Sequence, residues 1–377
     1  MKIIEYEYSD PNLGNTKGWH FSKVELKNVN LLVGDTGTGK TRFLTSLFNL
    51  GRSVVRREFD KRGEWAIKFK INNKIFLLNL LTIKNDNEEI VVAKEEIIEI
   101  TNNTEKNIVK RDSEKFIFEG KELPKLPGNT SSISLLKNEK IISEIHEGFS
   151  TILRRIFGLE SKQETLEYSL LSFPVLEKIE NDPNLGRLFH SEFNLSVKLY
   201  IAQKFFKNEF AEIKSQFIKV FPFIEDVKVI ESIVAEFNVP GIMPAFTIKE
   251  KNVSSWIDLK QLSSGMQKVL IIITDLVLFP RSGIYLIDEY ENSLGVSAIN
   301  FFPEFILSIE KDIQFIITSH HPYLINKIPI DNWYLFNRQG SNVVIKYGNE
   351  LIERYGKSKQ EAFVQLLNDK FYKRGIE

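Results

Sequence analysis

The sequence contains no cysteine, and that absence removes disulfide bonds, thiol catalysis and cysteine-ligated zinc together. Such a chain suits a reducing compartment, so a cytoplasmic location is expected. Long hydrophobic runs are missing as well. The most apolar stretch, Val269 to Leu278, is broken by Asp275 and stopped by Pro280 and Arg281, far short of the roughly 20 apolar residues that cross a bilayer. The opening MKIIEYEYSD places Glu5 and Glu7 where a secretory signal would be apolar, so neither a leader nor a membrane partner is expected. Excess charge of one sign is also absent. Fifty Lys and Arg balance fifty Asp and Glu, which argues against chain-wide attraction to nucleic acid and leaves room only for a local basic patch.

What is present points to a large folded core. Of 377 residues 42% are hydrophobic, 29 of them Phe, which excludes wholesale disorder. Length alone would suggest two or three structural units. The first 33 residues read as strands: Val24 to Lys27 alternates, and Val29 to Val33 is nearly continuous, as in a strand buried on both faces. A Gly-rich loop and a helix from Arg42 to about Leu50 follow. Residues 64 to 120 are β-rich, with alternation along Ala66–Ile71, a turn at Asn72-Asn73 and a loop signal at Leu123–Asn129. Residues 132 to 221 read as mostly helical, with Ile141, Ile142, Ile145, Phe149, Ile152 and Ile156 on one helix face and Ser196 to Phe217 forming another helix. Strand-like runs at Val227–Val234 and Ala245–Ile248 lead back toward the core. In the last third, a helix at Gly265–Leu278, a strand at Ile284–Ile287, a helix at Val296–Ile309 and a strand at Ile313–Ile317 alternate, which implies a parallel sheet flanked by helices.

One motif fixes the chemistry. Gly34-Asp35-Thr36-Gly37-Thr38-Gly39-Lys40-Thr41 fits the phosphate-loop pattern, between a buried strand and a helix that continues from Arg42. Its glycines let backbone N–H groups turn inward around phosphate oxygens, and the helix N-terminus adds positive potential. Lys40 is placed to reach the β- and γ-phosphates and the Thr41 hydroxyl to ligate Mg²⁺, which makes ATP and Mg²⁺ the expected cofactors. Further on, Ile284-Tyr285-Leu286-Ile287-Asp288-Glu289 is an apolar strand ending in two carboxylates. Asp288 would hold Mg²⁺ through water, and Glu289 would polarise the attacking water or accept its proton.

Leu262-Ser263-Ser264-Gly265-Met266-Gln267 opens the apolar helix, 25 residues before Asp288 when counted from Ser263. Here the chain resembles the ABC-type ATPases, whose signature is an LSGGQ-like helix start. Ser264 replaces the first glycine and Met266 the glutamine, a form similar to the SMC-like and OLD-like branch. In isolation the two serines are plain helix caps. Glu291-Asn292-Ser293-Leu294-Gly295 resembles the segment after the acidic pair in OLD-like ATPases, with Gly295 at their usual histidine. Thr318-Ser319-His320-His321-Pro322 resembles their switch segment, which gives His320 the role of sensing the γ-phosphate and assigns none to His321. The glutamine loop is not placed, and Tyr6, Tyr8 and Trp19 read as core residues rather than as a base-stacking aromatic.

The resemblance implies an α/β fold: an ABC-type P-loop ATPase head with an inserted antiparallel β-lobe and a short helical arm. Residues 1–50 and 255–330 would form a discontinuous core, 51–128 the lobe, 129–254 the arm and 331–377 a C-terminal hairpin and helix. Ser263 follows Thr41 by 222 residues, too few for the long coiled coil of an SMC protein and more than a transporter ATPase uses. The resemblance further implies a head-to-tail homodimer with ATP held between Gly34–Arg42 of one subunit and Ser263, Ser264 and Gly265 of the other. OLD-like proteins often add a C-terminal nuclease domain. Only 49 residues follow Ile328 and the five histidines are scattered, so any nuclease is expected on a separate effector, as in Septu-like or PARIS-like pairs of antiphage defence. Two alternatives stand beside that reading. Arg52, Arg56, Arg57, Lys61 and Arg62 could serve a DNA-binding SMC-like ATPase, although such runs are usually solvated faces; the other is a nucleotide-sensing scaffold that does not hydrolyse.

Overall fold

The computed structural model describes residues 1–10, 18–56, 58–102, 104–156, 169–234, 240–291, 296–350, 364, 366, 368 and 370–373. The chain divides into two compact units. The first comprises residues 1–155, 281–290 and 311–377, and the second residues 156–280 and 291–310.

The first unit is built on one large sheet. Its N-terminal strands are β1 (Lys2–Ser9), β2 (His20–Glu25) and β3 (Val29–Val33), followed by helix α1 (Lys40–Val55). An antiparallel series comes next: β4 (Gly63–Ile71), β5 (Lys74–Lys84), β6 (Ile90–Thr101), β7 (Thr104–Arg111), β8 (Phe116–Phe118) and β9 (Lys121–Leu123). Helices α2 (Ser132–Leu135) and α3 (Lys140–Ser150) lead to β10 (Ile152–Ile156). Among the described residues the strand order is β10, then the two strands that close the last third, then β3, the C-terminal hairpin, β2, β1, β4 and on to β9. The antiparallel strands therefore extend the same sheet that carries the phosphate loop. Trp65, Ile67, Phe69 and Ile71 alternate toward one face of β4, where Phe149 of α3 meets Phe69 edge-on at 5.2 Å between ring centres. That period-2 pattern is what a strand covered on one side requires.

The second unit holds a smaller sheet with helices. Its elements are β11 (Leu171–Ser172), α4 (Phe173–Asn181), α5 (Leu185–His190), α6 (Leu195–Phe205), α7 (Lys207–Val220), β12 (Ile224–Val234), β13 (Gly241–Glu250), β14 (Trp256–Asp258), α8 (Ser264–Leu278) and α9 (Val296–Ser308). β13 pairs with β11, β12 and β14. The Gln203 side chain on α6 both donates to and accepts from the backbone of Val229, at 2.9 and 2.8 Å, fixing α6 to β12. The two runs at 227–234 and 245–248 thus pair with each other in this unit's own sheet rather than rejoining the large one.

The last third alternates as its pattern predicts. β15 (Ser282–Asp288), β16 (Asp312–Thr318), α10 (Pro322–Lys327), β17 (Trp333–Gln339), β18 (Asn342–Tyr347) and α11 (Lys370–Lys373) complete the chain. β15, β16, β3 and β17 run parallel as neighbours, and β17 turns into β18 through Gly340 at φ +59°. Two helix expectations differ. The helix through Ile156 stops at Ser150, and Ile152–Ile156 is a strand beside β15. Ile152 and Ile156 are four residues apart, a spacing that keeps one face on a helix and on a strand alike, so periodicity could not separate them. The single helix at Ser196–Phe217 is two, because Phe206 leaves helical geometry at φ −125°, ψ 64°. Asn292–Gly295 and most of the C-terminal helix expected from Lys359 to Arg374 lie outside the described residues. Among the described residues no helix is long and apolar enough to cross a membrane.

Candidate nucleotide site

The phosphate loop joins β3 to α1 inside the first unit. Gly37 and Gly39 adopt φ +83° and +102°, left-handed values open to glycine at little cost. Gly34 answers a different need: a side-chain carbon there would lie 2.6 Å from the Phe336 carbonyl of β17. Lys40 is buried and donates to the carbonyls of Gly34 (2.7 Å) and Asp35 (2.8 Å), so its ammonium is held over the loop. Thr38 donates to the Asp35 carbonyl at 2.8 Å, and the Asp35 carboxylate accepts from the Thr36 amide at 2.7 Å. The exposed Asp35–Gly37 segment is thereby shaped by its own hydrogen bonds.

Asp288 ends β15, two strands away from β3, with β16 between. It is nonetheless tied to the loop. The Thr41 hydroxyl donates to its Oδ1 at 3.1 Å, and the Thr318 hydroxyl, at the end of β16, donates to the same atom at 2.8 Å. Thr318 also accepts from the Glu289 amide at 2.7 Å. Glu289 stands at φ +51°, a left-handed conformation that costs a non-glycine residue about 1–2 kcal/mol. The Glu289 amide donating to the Thr318 hydroxyl, and the Tyr290 amide donating to the Thr318 carbonyl at 3.3 Å, hold that turn in place.

The opposite oxygen of Asp288 has a partner the sequence did not reveal. Arg154 of β10 donates from Nη2 to Oδ2 at 3.2 Å, and both side chains are buried. Burial lowers the guanidinium pKa from its usual value, and the carboxylate beside it acts in the opposite direction. Sequence reasoning placed Arg154 on a helix and so lost sight of it. Thr318 lay within a recognised segment yet carried no assigned role.

A cleft of about 930 Å³ lies in the first unit. Thr36, Gly37, Gly39, Lys40, Thr41 and Arg42 line it together with Glu289, Thr318 and half-buried His320. His321 lies beyond and caps α10, its Nδ1 accepting from the Tyr323 amide at 3.2 Å. Tyr6 is core: its hydroxyl hydrogen-bonds Ser46 at 2.7 Å and its ring meets Phe43. Tyr8 donates to Asp10 and touches the cleft. Trp19 is half-buried, packed against the core and also lining the cleft, with the guanidinium groups of Arg42 and Arg338 at 4.4 and 4.9 Å from its ring. Lys61 and Arg62 also line the cleft, Arg52 faces Asp60 at 3.8 Å, and Arg57 lies outside the described residues.

In the second unit Ser263 is exposed and caps α8, its hydroxyl accepting from the Met266 amide at 3.3 Å. Ser264 is half-buried, Gly265 is buried, and burial continues along the helix to Leu278. The cap interpretation of the serine is therefore realised, and the exposed hydroxyl stands at a helix N-terminus, where anions are favoured.

The Thr41 hydroxyl and Asp288 carboxylate are hard oxygen donors in direct contact. That donor set suits Mg²⁺, which takes one or two protein oxygens and completes its shell with phosphate and water.

Residues 29–326 match the family described as "AAA domain, putative AbiEii toxin, Type IV TA system". The chain belongs to this family. Its members are P-loop ATPases, and this span contains the phosphate loop, the acidic pair and the switch segment. No curated protein matches the chain. Among solved structures it is similar to an SMC head bound to the C-terminal winged-helix domain of ScpA, at 14% identity and TM-score 0.51, covering 94% of this chain and all of that one. A second is an SMC head domain with an extended coiled coil bound to the C-terminal domain of ScpA, derived from Pyrococcus furiosus, at 12% identity and TM-score 0.48, covering 94% and 98%. The first likeness establishes the fold as that of an SMC-head, ABC-type P-loop ATPase.

Proposed function

We propose that this chain binds ATP with Mg²⁺, closes on a second copy of itself, hydrolyses the nucleotide, and thereby controls a separate effector protein in bacterial antiphage defence. One observation carries the ATPase part. Asp288 joins the phosphate-loop Thr41 to the switch-segment Thr318, and Thr318 in turn holds the Glu289 amide. Three segments separated in sequence are thus wired into one small network.

Within it each group has a task. The loop amides and Lys40 bind the triphosphate, with Arg42 beside them. Thr41 and Asp288 would hold the metal, which would offset the negative charge of the phosphates. Glu289 orients or deprotonates the attacking water, and His320 reports the γ-phosphate. Ser263, Ser264 and Gly265 present a helix N-terminus to the γ-phosphate on a partner subunit.

The defence role is supported by the family description, which names a toxin of a toxin–antitoxin system. A protein partner is also supported by the SMC head solved with a bound ScpA domain. The DNA-binding alternative draws less support, because Lys61 and Arg62 line the cleft and Arg52 faces an aspartate. Glu289 in the cleft wall weighs against a scaffold that does not hydrolyse.

The test is phosphate release by the purified protein, with mass measurement of E289Q in ATP. Turnover lost in E289Q together with an ATP-dependent dimer is expected. A strictly monomeric E289Q at micromolar concentration would sink the sandwich. Co-purification with a nuclease encoded by a neighbouring gene is the expected result for the effector, and salt-sensitive DNA binding without such a partner would favour the alternative.

A further inference from the structure

Arg154 holds Asp288 in an unusual way. Their side chains are 7% and 4% exposed, yet one contact joins them, Nη2 to Oδ2 at 3.2 Å. Among the described residues the buried Nε of Arg154 has no hydrogen-bond partner. A buried arginine–carboxylate pair is strongest when two parallel N–H donors meet the two oxygens and the remaining donors are satisfied. Here neither condition is met. The second oxygen, Oδ1, is taken by Thr41 and Thr318, so the guanidinium cannot dock in the two-pronged manner without displacing the phosphate-loop contact. An unpaired buried donor destabilises this state, and the pairing is therefore poor as a stability device.

Its position suits another task. Oδ2 carries charge that a divalent cation would draw on, and Arg154 already neutralises it. We propose that Arg154 is a resident counter-cation that competes with the divalent metal for Asp288, so that metal entry with nucleotide includes release of the Arg154–Oδ2 contact. This rests on the assignment of Asp288 to the metal in the preceding section. Arg154 acts through Asp288 and is a positioning residue. Without nucleotide it keeps the buried carboxylate compensated and aimed at Thr41. A metal ion alone gains too little to displace it, whereas a metal ion that brings phosphate oxygens gains more. The site would then favour metal–nucleotide over free metal.

The experiment compares wild type, R154Q and R154K. Mn²⁺ binding is followed by electron paramagnetic resonance with saturating adenylyl-imidodiphosphate, and binding of the same analogue is measured in EDTA. R154Q is expected to tighten Mn²⁺ about tenfold, by removing a neighbouring positive charge. R154K, which retains the charge, should stay within about threefold of wild type, and analogue affinity in EDTA should be the same in all three. Equal or weaker Mn²⁺ binding by R154Q overturns the proposal, because a purely structural arginine would give that result. Should R154Q fail to fold, wild type decides by ¹⁵N-arginine NMR. The Arg154 Nε–H signal, assigned by through-bond correlation, should shift when Mg²⁺ is added to the analogue-bound protein, and an unmoved signal overturns the proposal. A wild type that binds analogue with no dependence on metal overturns the Asp288 assignment itself, a result distinct from any difference between variants.

Discussion

Thr318 serves two neighbours with one hydroxyl, donating to Asp288 and accepting from the Glu289 amide. Replacing it by valine keeps the shape, removes both bonds and leaves a buried carboxylate oxygen and a strained turn less restrained. T318V should lose about 1–3 kcal/mol of stability, as expected when buried polar groups lose a partner. Its turnover should fall about 10–100-fold while nucleotide affinity changes little, since the phosphate-loop amides are untouched. Phosphate release and titration with a fluorescent ATP analogue separate the two effects. E289Q should retain nucleotide and lose about 10²–10⁴-fold in turnover, the range of a general base. K40A should instead lose nucleotide binding itself, measured by the same titration. At this scale the phosphate loop, the acidic pair and His320 were legible, because each is a local string whose chemistry depends on nearest neighbours. Arg154 was not, since its partner lies 134 residues away and no local pattern encodes that meeting.

The strands that carry the site are held in register by a few buried amides. Gln314 of β16 donates to the carbonyls of Ile3 and Lys27 and accepts from the Ile3 amide, each at 2.8 Å. Asn30 of β3 donates to the Phe315 carbonyl at 2.9 Å and to the Lys27 carbonyl at 2.7 Å. These side chains pin β1, β3 and β16 to one another beneath the phosphate loop. Q314L retains bulk and removes three hydrogen bonds to the backbone, so a loss of about 2–4 kcal/mol is expected, read as a lower urea midpoint with an unchanged slope. The alternating last third showed its parallel strands plainly, because fully buried strands are continuous apolar runs. The β10 strand was hidden for the opposite reason: its sequence satisfies a helical period, and pairing beside β15 decided the outcome. The break at Phe206 was equally hidden, with neither proline nor glycine to mark it.

For the whole molecule, a balanced charge makes stability depend on particular titrating groups rather than on net repulsion. Half-buried His146 on α3 has its pKa lowered by burial, against a hydrogen bond with the Val55 backbone that raises it. Around its ordinary value of 6.5 the unfolded chain therefore binds the proton more readily than the folded one. Its contribution is present above that pH and is lost as pH falls below it. Glu5 is lowered through its hydrogen bond to Lys23, with Lys68 adding to the effect, and its contribution is lost only further down, below 4.5. Urea midpoints should thus decline from pH 7 toward pH 5.5, and H146Q should flatten that limb; an unchanged slope in H146Q would remove His146 as the cause. The sequence by itself determined the nucleotide chemistry, the parallel core and the absence of thiol and disulfide chemistry, because motifs and apolar runs act over a few residues. The tertiary structure alone decided that one sheet unites the core strands with the antiparallel series, that Thr318 links Glu289 to Asp288, and that Arg154 pairs with the Asp288 carboxylate. Those facts depend on which distant strands become neighbours, a choice made by pairing and burial across the whole chain.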